Sequence, residues 1–180
     1  MAKPRVRRAK QVSVIRKYVS ELLKLHKVKE APVDVIRLAQ KLGAQVKLSP
    51  FDGELAGMLI RGNGKKIIGV NSLHHINRQR FTVAHEIGHL LMHQGDVHID
   101  KSFTVQRRDG VSSLAVDPDE IEANRFAAEL LMPYGLIAAD LITRDIDIEN
   151  AEELMELAKK YQVSLQAITF RVTAIMEEQF

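Results

Sequence analysis

Phe81-Thr82-Val83-Ala84-His85-Glu86-Ile87-Gly88-His89-Leu90-Leu91-Met92-His93 is apolar on nearly every side of a helix, yet it carries three histidines and a glutamate. A helix of that kind belongs in a core. It contains the pattern His-Glu-x-x-His, in which His85 and His89 stand one turn apart on one face and can reach a single metal ion. Glu86 follows the first histidine and is placed to act as general base on metal-activated water. Two imidazoles and a carboxylate in apolar surroundings each need a partner, because an unpaired buried polar group costs roughly 1–3 kcal/mol. One ion satisfies the whole set. Gly88 costs its helix about 1 kcal/mol relative to alanine, which signals a close approach there by a neighbouring strand or a substrate backbone.

A catalytic zinc takes three protein ligands and leaves one position to water. His93 is excluded as the third, since residues spaced four and four advance about 12 Å along a helix. The residue six positions after His89 is Gly95, and the chain has no Cys, so the third ligand is a carboxylate or a distant His. Asp117-Pro118-Asp119-Glu120 reads as a helix start, with Asp117 as N-cap, Pro118 at N1 and Glu120 reaching back to the cap. Glu122 has no such task and sits at the rim of the apolar stripe Ala123, Phe126, Ala127, Leu130. Glu122 is therefore the expected ligand, with Glu120, Asp119 and His98 as alternatives. Carboxylate and imidazole donors suit zinc, and manganese as well.

Working outward, apolar spacing predicts a helix over Val12 to Val28, and Pro32 and Gly43 bracket a second. Ala44–Leu48, Ala56–Ile60 and Lys66–Val70 read as strands, the last two joined in a hairpin at Gly62-Asn63-Gly64. A small antiparallel sheet of about three strands follows. Gln94 to Val116 reads as a long polar loop with room for one strand, of the kind that is usually functional. Helices are expected from Asp117 to Met132, over Ala151–Tyr161 and over Ser164–Glu178. The fold class is thus α+β and mostly helical. With 180 residues, 46% hydrophobic and 27% charged, the composition is that of an ordinary globular chain. No stretch reaches the ~20 apolar residues that span a bilayer, so no membrane association is expected. No apolar segment follows the charged N-terminus as in a secretory signal. Zero Cys excludes disulfides and thiol chemistry, and the expected compartment is the cytoplasm. The net charge of +3 is carried by Lys3, Arg5, Arg7, Arg8 and Lys10, without which the rest is at −2. Residues 1–10 read as a basic, flexible tail.

The run Arg80 to His89, followed by Glu122-Ala123-Asn124-Arg125-Phe126-Ala127-Ala128-Glu129-Leu130-Leu131-Met132-Pro133, resembles the ImmA/IrrE family of metallopeptidases. Leu38 to Gly43, the hairpin and Asn71 fit the same family, and the resemblance covers about residues 12–175. It implies a zincin-like minimal core, with His85, His89 and Glu122 holding zinc and Glu86 as base. It implies a metallopeptidase domain over 11–145 and helix-turn-helix-like C-terminal helices over 146–180. Its members typically cleave a helix-turn-helix repressor and so release stress-response or mobile-element genes.

On this reading Glu86 deprotonates the water and later protonates the leaving amine, while the strand Lys66–Val70 pairs with an extended substrate segment. His74, His75, His98 and Arg80 are candidates for stabilising the oxyanion. The segment Leu157 to Ile168 resembles a helix-turn-helix with Ser164 as N-cap. Gln162 stands where a DNA-binding version has Gly, and Arg171 is the one cation that follows in the last helix, so DNA binding is weakly supported. The rival reading is a zinc-stabilised regulator that binds a repressor, an antitoxin or DNA without cutting.

Overall fold

The structure is a computed structural model that describes residues 4–52, 55–95, 97–100 and 117–179. Seven helices and four strands are found among them. The chain divides into two compact units, Val35–Ala127 and the flanking segments up to Asp34 and from Ala128 onward. The boundary expected at 145 does not coincide with this division.

After α1 (Pro4–Leu25) of the other unit, the unit Val35–Ala127 begins with the short helix α2 (Val35–Lys41), whose Val35, Leu38 and Ala39 are buried. Gly43, at φ 81, ends it. The strands β1 (Ala44–Ser49), β2 (Gly57–Gly62), β3 (Lys65–Asn71) and β4 (Val97–Asp100) form one sheet in the order β1-β3-β2-β4. The hairpin β2–β3 turns at Asn63 and Gly64, with φ of 50 and 72, the left-handed pair that a two-residue hairpin turn demands. The sheet departs from the expected one in two ways. β1 pairs with β3 in parallel, Val46 opposite Ile68, because the segment 50–64 that joins them contains β2 and returns the chain to the same end. β4 adds a fourth strand, antiparallel to β2 with His98 opposite Leu59. Buried Asn71 binds the loop after β1: its amide donates to Phe51 O and Leu55 O at 3.2 and 3.0 Å and its carbonyl accepts from Phe51 N at 3.3 Å.

The helix α3 (Ile76–Met92) runs with Thr82 to His89 continuously buried, as its all-round apolarity predicts. His75 caps its start, Nδ1 accepting from Asn77 N at 3.2 Å. At its other end Arg61 of β2 donates to His93 O and Gly95 O, both at 2.9 Å, and to His89 O. The guanidinium thereby ties β2 to the end of α3, where His89 O also accepts from His93 N at 3.2 Å. Gly57 lets β2 lie directly against α3, since a Cβ there would fall 2.3 Å from Thr82 Cγ2 and 3.3 Å from Glu86 Oε1. The helix α4 (Pro118–Leu131) starts as expected, Asp117 Oδ1 accepting from Asp119 N at 3.0 Å.

The other unit holds α1 (Pro4–Leu25), the end of α4, α5 (Tyr134–Arg144), α6 (Ala151–Tyr161) and α7 (Leu165–Gln179). α1 starts at Pro4, a residue suited to a first turn, so the expected basic tail is helical from there on, while residues 1–3 lie outside the described residues. The sequence reading did not foresee α5. Its first amide, Tyr134 N, donates to Glu129 Oε1 at 2.9 Å, and the same carboxylate pairs with Arg171 of α7. Asp140 of α5 accepts from Lys160 Nζ at 2.6 and 2.8 Å and from the buried Tyr161 hydroxyl at 2.8 Å. Between α6 and α7 the chain turns at Gln162, which is left-handed at φ 53 without being glycine. Its N–H and that of Val163 both return to Ala158 O, and Ser164 Oγ caps α7 from Ala167 N at 3.1 Å. No single helix among the described residues is long and apolar enough to cross a membrane.

Candidate metal centre

Three elements of the unit Val35–Ala127 converge. α3 presents His85 and His89, α4 presents Glu120, and β4 presents His98, with one ligand atom from each lying within 4.8 Å of all the others. His85 Nε2 and His89 Nε2 are 2.9 Å apart. Glu120 Oε2 is 3.3 Å from His85 Nε2, and its Oε1 is 3.4 Å from His89 Nε2 and 3.1 Å from His98 Nε2. Donors about 2.0–2.2 Å from a tetrahedral zinc lie about 3.3–3.6 Å from one another. The separations of 2.9–3.4 Å lie at or a few tenths of an ångström inside that spacing, so a small outward shift of the rings lets the four donors hold one ion of that size. A cleft of about 80 Å³, with His89, His98 and Glu120 on its wall, gives a few solvent molecules access.

The protonation states also suit a cation. Hydrogen bonds from His85, His89 and His98 hold the Glu120 carboxyl far below the usual carboxylate range, against the opposing effect of burial. Burial pushes the His89 imidazole below its ordinary value, so its ring is neutral at pH 7. Metal binding requires these forms, an ionised carboxylate and a neutral ring. Asn124, one turn beyond Glu120, meets His85: Oδ1 is 3.1 Å from Nδ1. With the carbonyl oxygen accepting from Nδ1–H, His85 can give up its Nε2 hydrogen bond to Glu120 and offer the Nε2 lone pair to an ion. His89 Nδ1 lies 2.9 Å from His93 Nδ1, and His93 Nε2 faces Glu122 and Asp119 at 3.5 and 3.8 Å. His93 thus supports a ligand rather than being one.

Of the residues singled out in the sequence, His85 and His89 are brought together, and Glu86, fully buried, sits on α3 between them. Glu122 is not brought to them. The carboxylate that meets the two histidines is Glu120, and the one that faces His93 is Glu122. Residues two positions apart on a helix are separated by about 200°, so Glu120 and Glu122 cannot both point at one site. Glu120 does not reach back to the cap as expected; its carboxylate turns to the imidazoles. Asn124 was missed altogether, although its spacing of four from Glu120 repeats that of His85 and His89. The close approach signalled by Gly88 is made by α4: a Cβ there would lie 3.2 Å from Ala123 Cα and 3.2 Å from Phe126 Cδ1. Among the four oxyanion candidates, His98 joins the cluster and His75 is the α3 cap.

A family model described as the IrrE N-terminal-like domain of the M78 peptidases matches residues 35–173. The chain belongs to this family. The M78 match spans both helices and the strand that supply the four donors. No curated protein matches the chain. Among solved structures, a Mycobacterium tuberculosis transcriptional regulator is similar with a TM-score of 0.51 and 14% identity, covering 88% of this chain and 45% of that one. At that identity the likeness is one of fold. This M78 chain spans less than half the length of that regulator.

Proposed function

We propose that the chain is a zinc-dependent endopeptidase that holds its metal with His85, His89 and Glu120, uses Glu86 as base, and cuts a helix-turn-helix repressor. The observation that carries this reading is the convergence of His85, His89 and Glu120 beside a buried Glu86 in a chain of the M78 family. Glu120 replaces Glu122 in the proposed ligand set because its oxygens stand 3.3 and 3.4 Å from the two imidazoles. Manganese is the alternative ion, since the donors are nitrogen and oxygen.

When bound, the ion supplies Lewis acidity and brings the pKa of water to about 7. The Glu86 carboxylate takes the proton of the attacking water and passes it to the nitrogen of the leaving amine. Asn124 holds the His85 proton on Nδ1, and His93 meets His89 from the other side, so both rings are kept in orientation. The sequence reading assigned the substrate-pairing role to Lys66–Val70, but β3 is not available for it, because β1 and β2 occupy both of its edges. Among the described residues β4 ends the sheet on the side that carries His98, and an extended substrate segment is proposed to add there through backbone hydrogen bonds.

The test uses the purified full chain, zinc-loaded, mixed with helix-turn-helix repressors from the same cell and followed by intact-mass spectrometry. The proposal requires a discrete pair of fragments from one repressor, absent when a chelator is added and absent with Glu86→Gln. Uncut repressors that nonetheless bind would favour the non-cleaving regulator. That second reading draws support from the left-handed turn at Gln162, which gives α6 and α7 a helix-turn-helix-like junction. Its DNA-binding form loses support because Arg171, the one cation of α7, pairs with Glu129 and donates to Met132 O.

A further inference from the structure

The four donors are not held alike. His85, His89 and Glu120 stand on two helices that meet where Gly88 faces Ala123 and Phe126. Both helix histidines are deeply buried, with side-chain exposures of 0% and 3%. His98 stands on β4, a four-residue strand bonded to β2, and its side chain is 26% exposed. Its neighbour Val97 is 60% exposed. Yet its Nε2 lies 3.1 Å from Glu120 Oε1, and its ring stacks on that of His89 with centroids 3.6 Å apart. His98 therefore occupies the fourth corner of the site from a four-residue strand that is, among the described residues, an edge of the sheet.

A tetrahedral zinc with four protein donors has no position for solvent, and one with three has a single position. From this contrast we infer that His98 is a displaceable fourth ligand, which closes the coordination sphere in the resting chain and must withdraw with β4 before hydrolysis. The inference rests on the metallopeptidase reading of the site. The edge of β4 is where an extended substrate segment adds, so engagement of substrate and withdrawal of His98 act on one short strand. The exchange swaps one donor bond for another. The imidazole leaves neutral, and no proton or electron is transferred. A closed resting state suits a peptidase that must spare every protein but its target.

The experiment compares the full chain with His98→Ala and His98→Gln, the latter keeping a side chain of similar length on the strand. X-ray absorption of the zinc-loaded proteins counts imidazoles by their outer-shell scattering, and three are expected in the wild type and two in each variant. In the cobalt-loaded proteins, azide should leave the visible spectrum of the wild type unchanged and shift that of both variants. Two imidazoles in the wild type, or an azide shift equal to that of the variants, overturns the inference. If such a two-imidazole wild type still cuts its target through Glu86, the closing ligand fails alone and the peptidase reading stands. Three imidazoles with no Glu86-dependent cleavage by wild type or variants would overturn that reading, and with it the gating role of His98.

Discussion

At the scale of single residues, Glu120 and Glu122 offer the sharpest contrast. Both are carboxylates on the first turns of α4, two positions apart, and only Glu120 reaches the imidazoles of His85 and His89. Glu120→Gln should weaken zinc binding beyond the ~10–100-fold that loss of an outer-shell partner costs. Glu122→Gln should weaken it far less, and a chelator competition titration separates the two. Asn124→Ala removes the acceptor that fixes the His85 proton, and should cost about 10–100-fold in the same titration. The two histidines and Glu86, the proposed base, are legible because His-Glu-x-x-His is a local pattern on one helix. The carboxylate that meets them is less so, because the start of α4 has two uses for a glutamate, capping and facing the imidazoles. The deciding clue lay in the sequence: Glu120 and Asn124 share a face, as His85 and His89 do.

At the scale of elements, the site depends on how closely α3 can be approached. At Gly88 the nearest atoms of α4 are the Ala123 Cα and the Phe126 ring, at 3.2 Å from a notional Cβ. A backbone atom cannot step aside cheaply, so Gly88→Val should destabilise the chain by about 1–3 kcal/mol, read from urea unfolding. It should also weaken zinc binding, because it moves Glu120 away from the histidines. The hairpin was legible from its Gly-Asn-Gly turn. The pairing of β1 with β3 was not, since strand order is a long-range property that no local pattern states. α5 was missed for a related reason. Pro133 precedes it without a side-chain cap, and its first amide is satisfied by Glu129 of the preceding helix. That partner is visible only once the chain has folded.

At the scale of the whole molecule, each of the two units has its own dependence on conditions. The unit Val35–Ala127 carries the candidate metal centre, and a ligand that binds only the folded form adds about 4 kcal/mol at a thousandfold excess over its dissociation constant. Chelation should therefore lower the melting temperature of the wild type and leave that of His85→Ala unchanged, as calorimetry can show. The other unit carries Tyr161, whose phenol burial and the bond to Asp140 push above its ordinary range. A pKa raised in the folded state means that the fold holds this proton more tightly than the unfolded chain does. The associated stability is complete below about pH 10, the unfolded value, and is lost as pH rises beyond it. Urea unfolding at pH 9 and pH 11 should show a larger loss in the wild type than in Tyr161→Phe. The variant itself should be about 1 kcal/mol less stable at pH 7 through the missing hydrogen bond.

These dependences concern stability, whereas the central claim concerns chemistry: that Glu86, beside His85 and His89, hydrolyses a peptide bond of a particular protein. The most direct measurement is a comparison of newly formed protein N-termini in cells expressing the wild type or Glu86→Gln. The account predicts at least one terminus found only with the wild type and lying within a helix-turn-helix repressor, while the variant retains its zinc. Identical sets of termini under resting and DNA-damaging conditions, or the same cut made by Glu86→Gln, would contradict it.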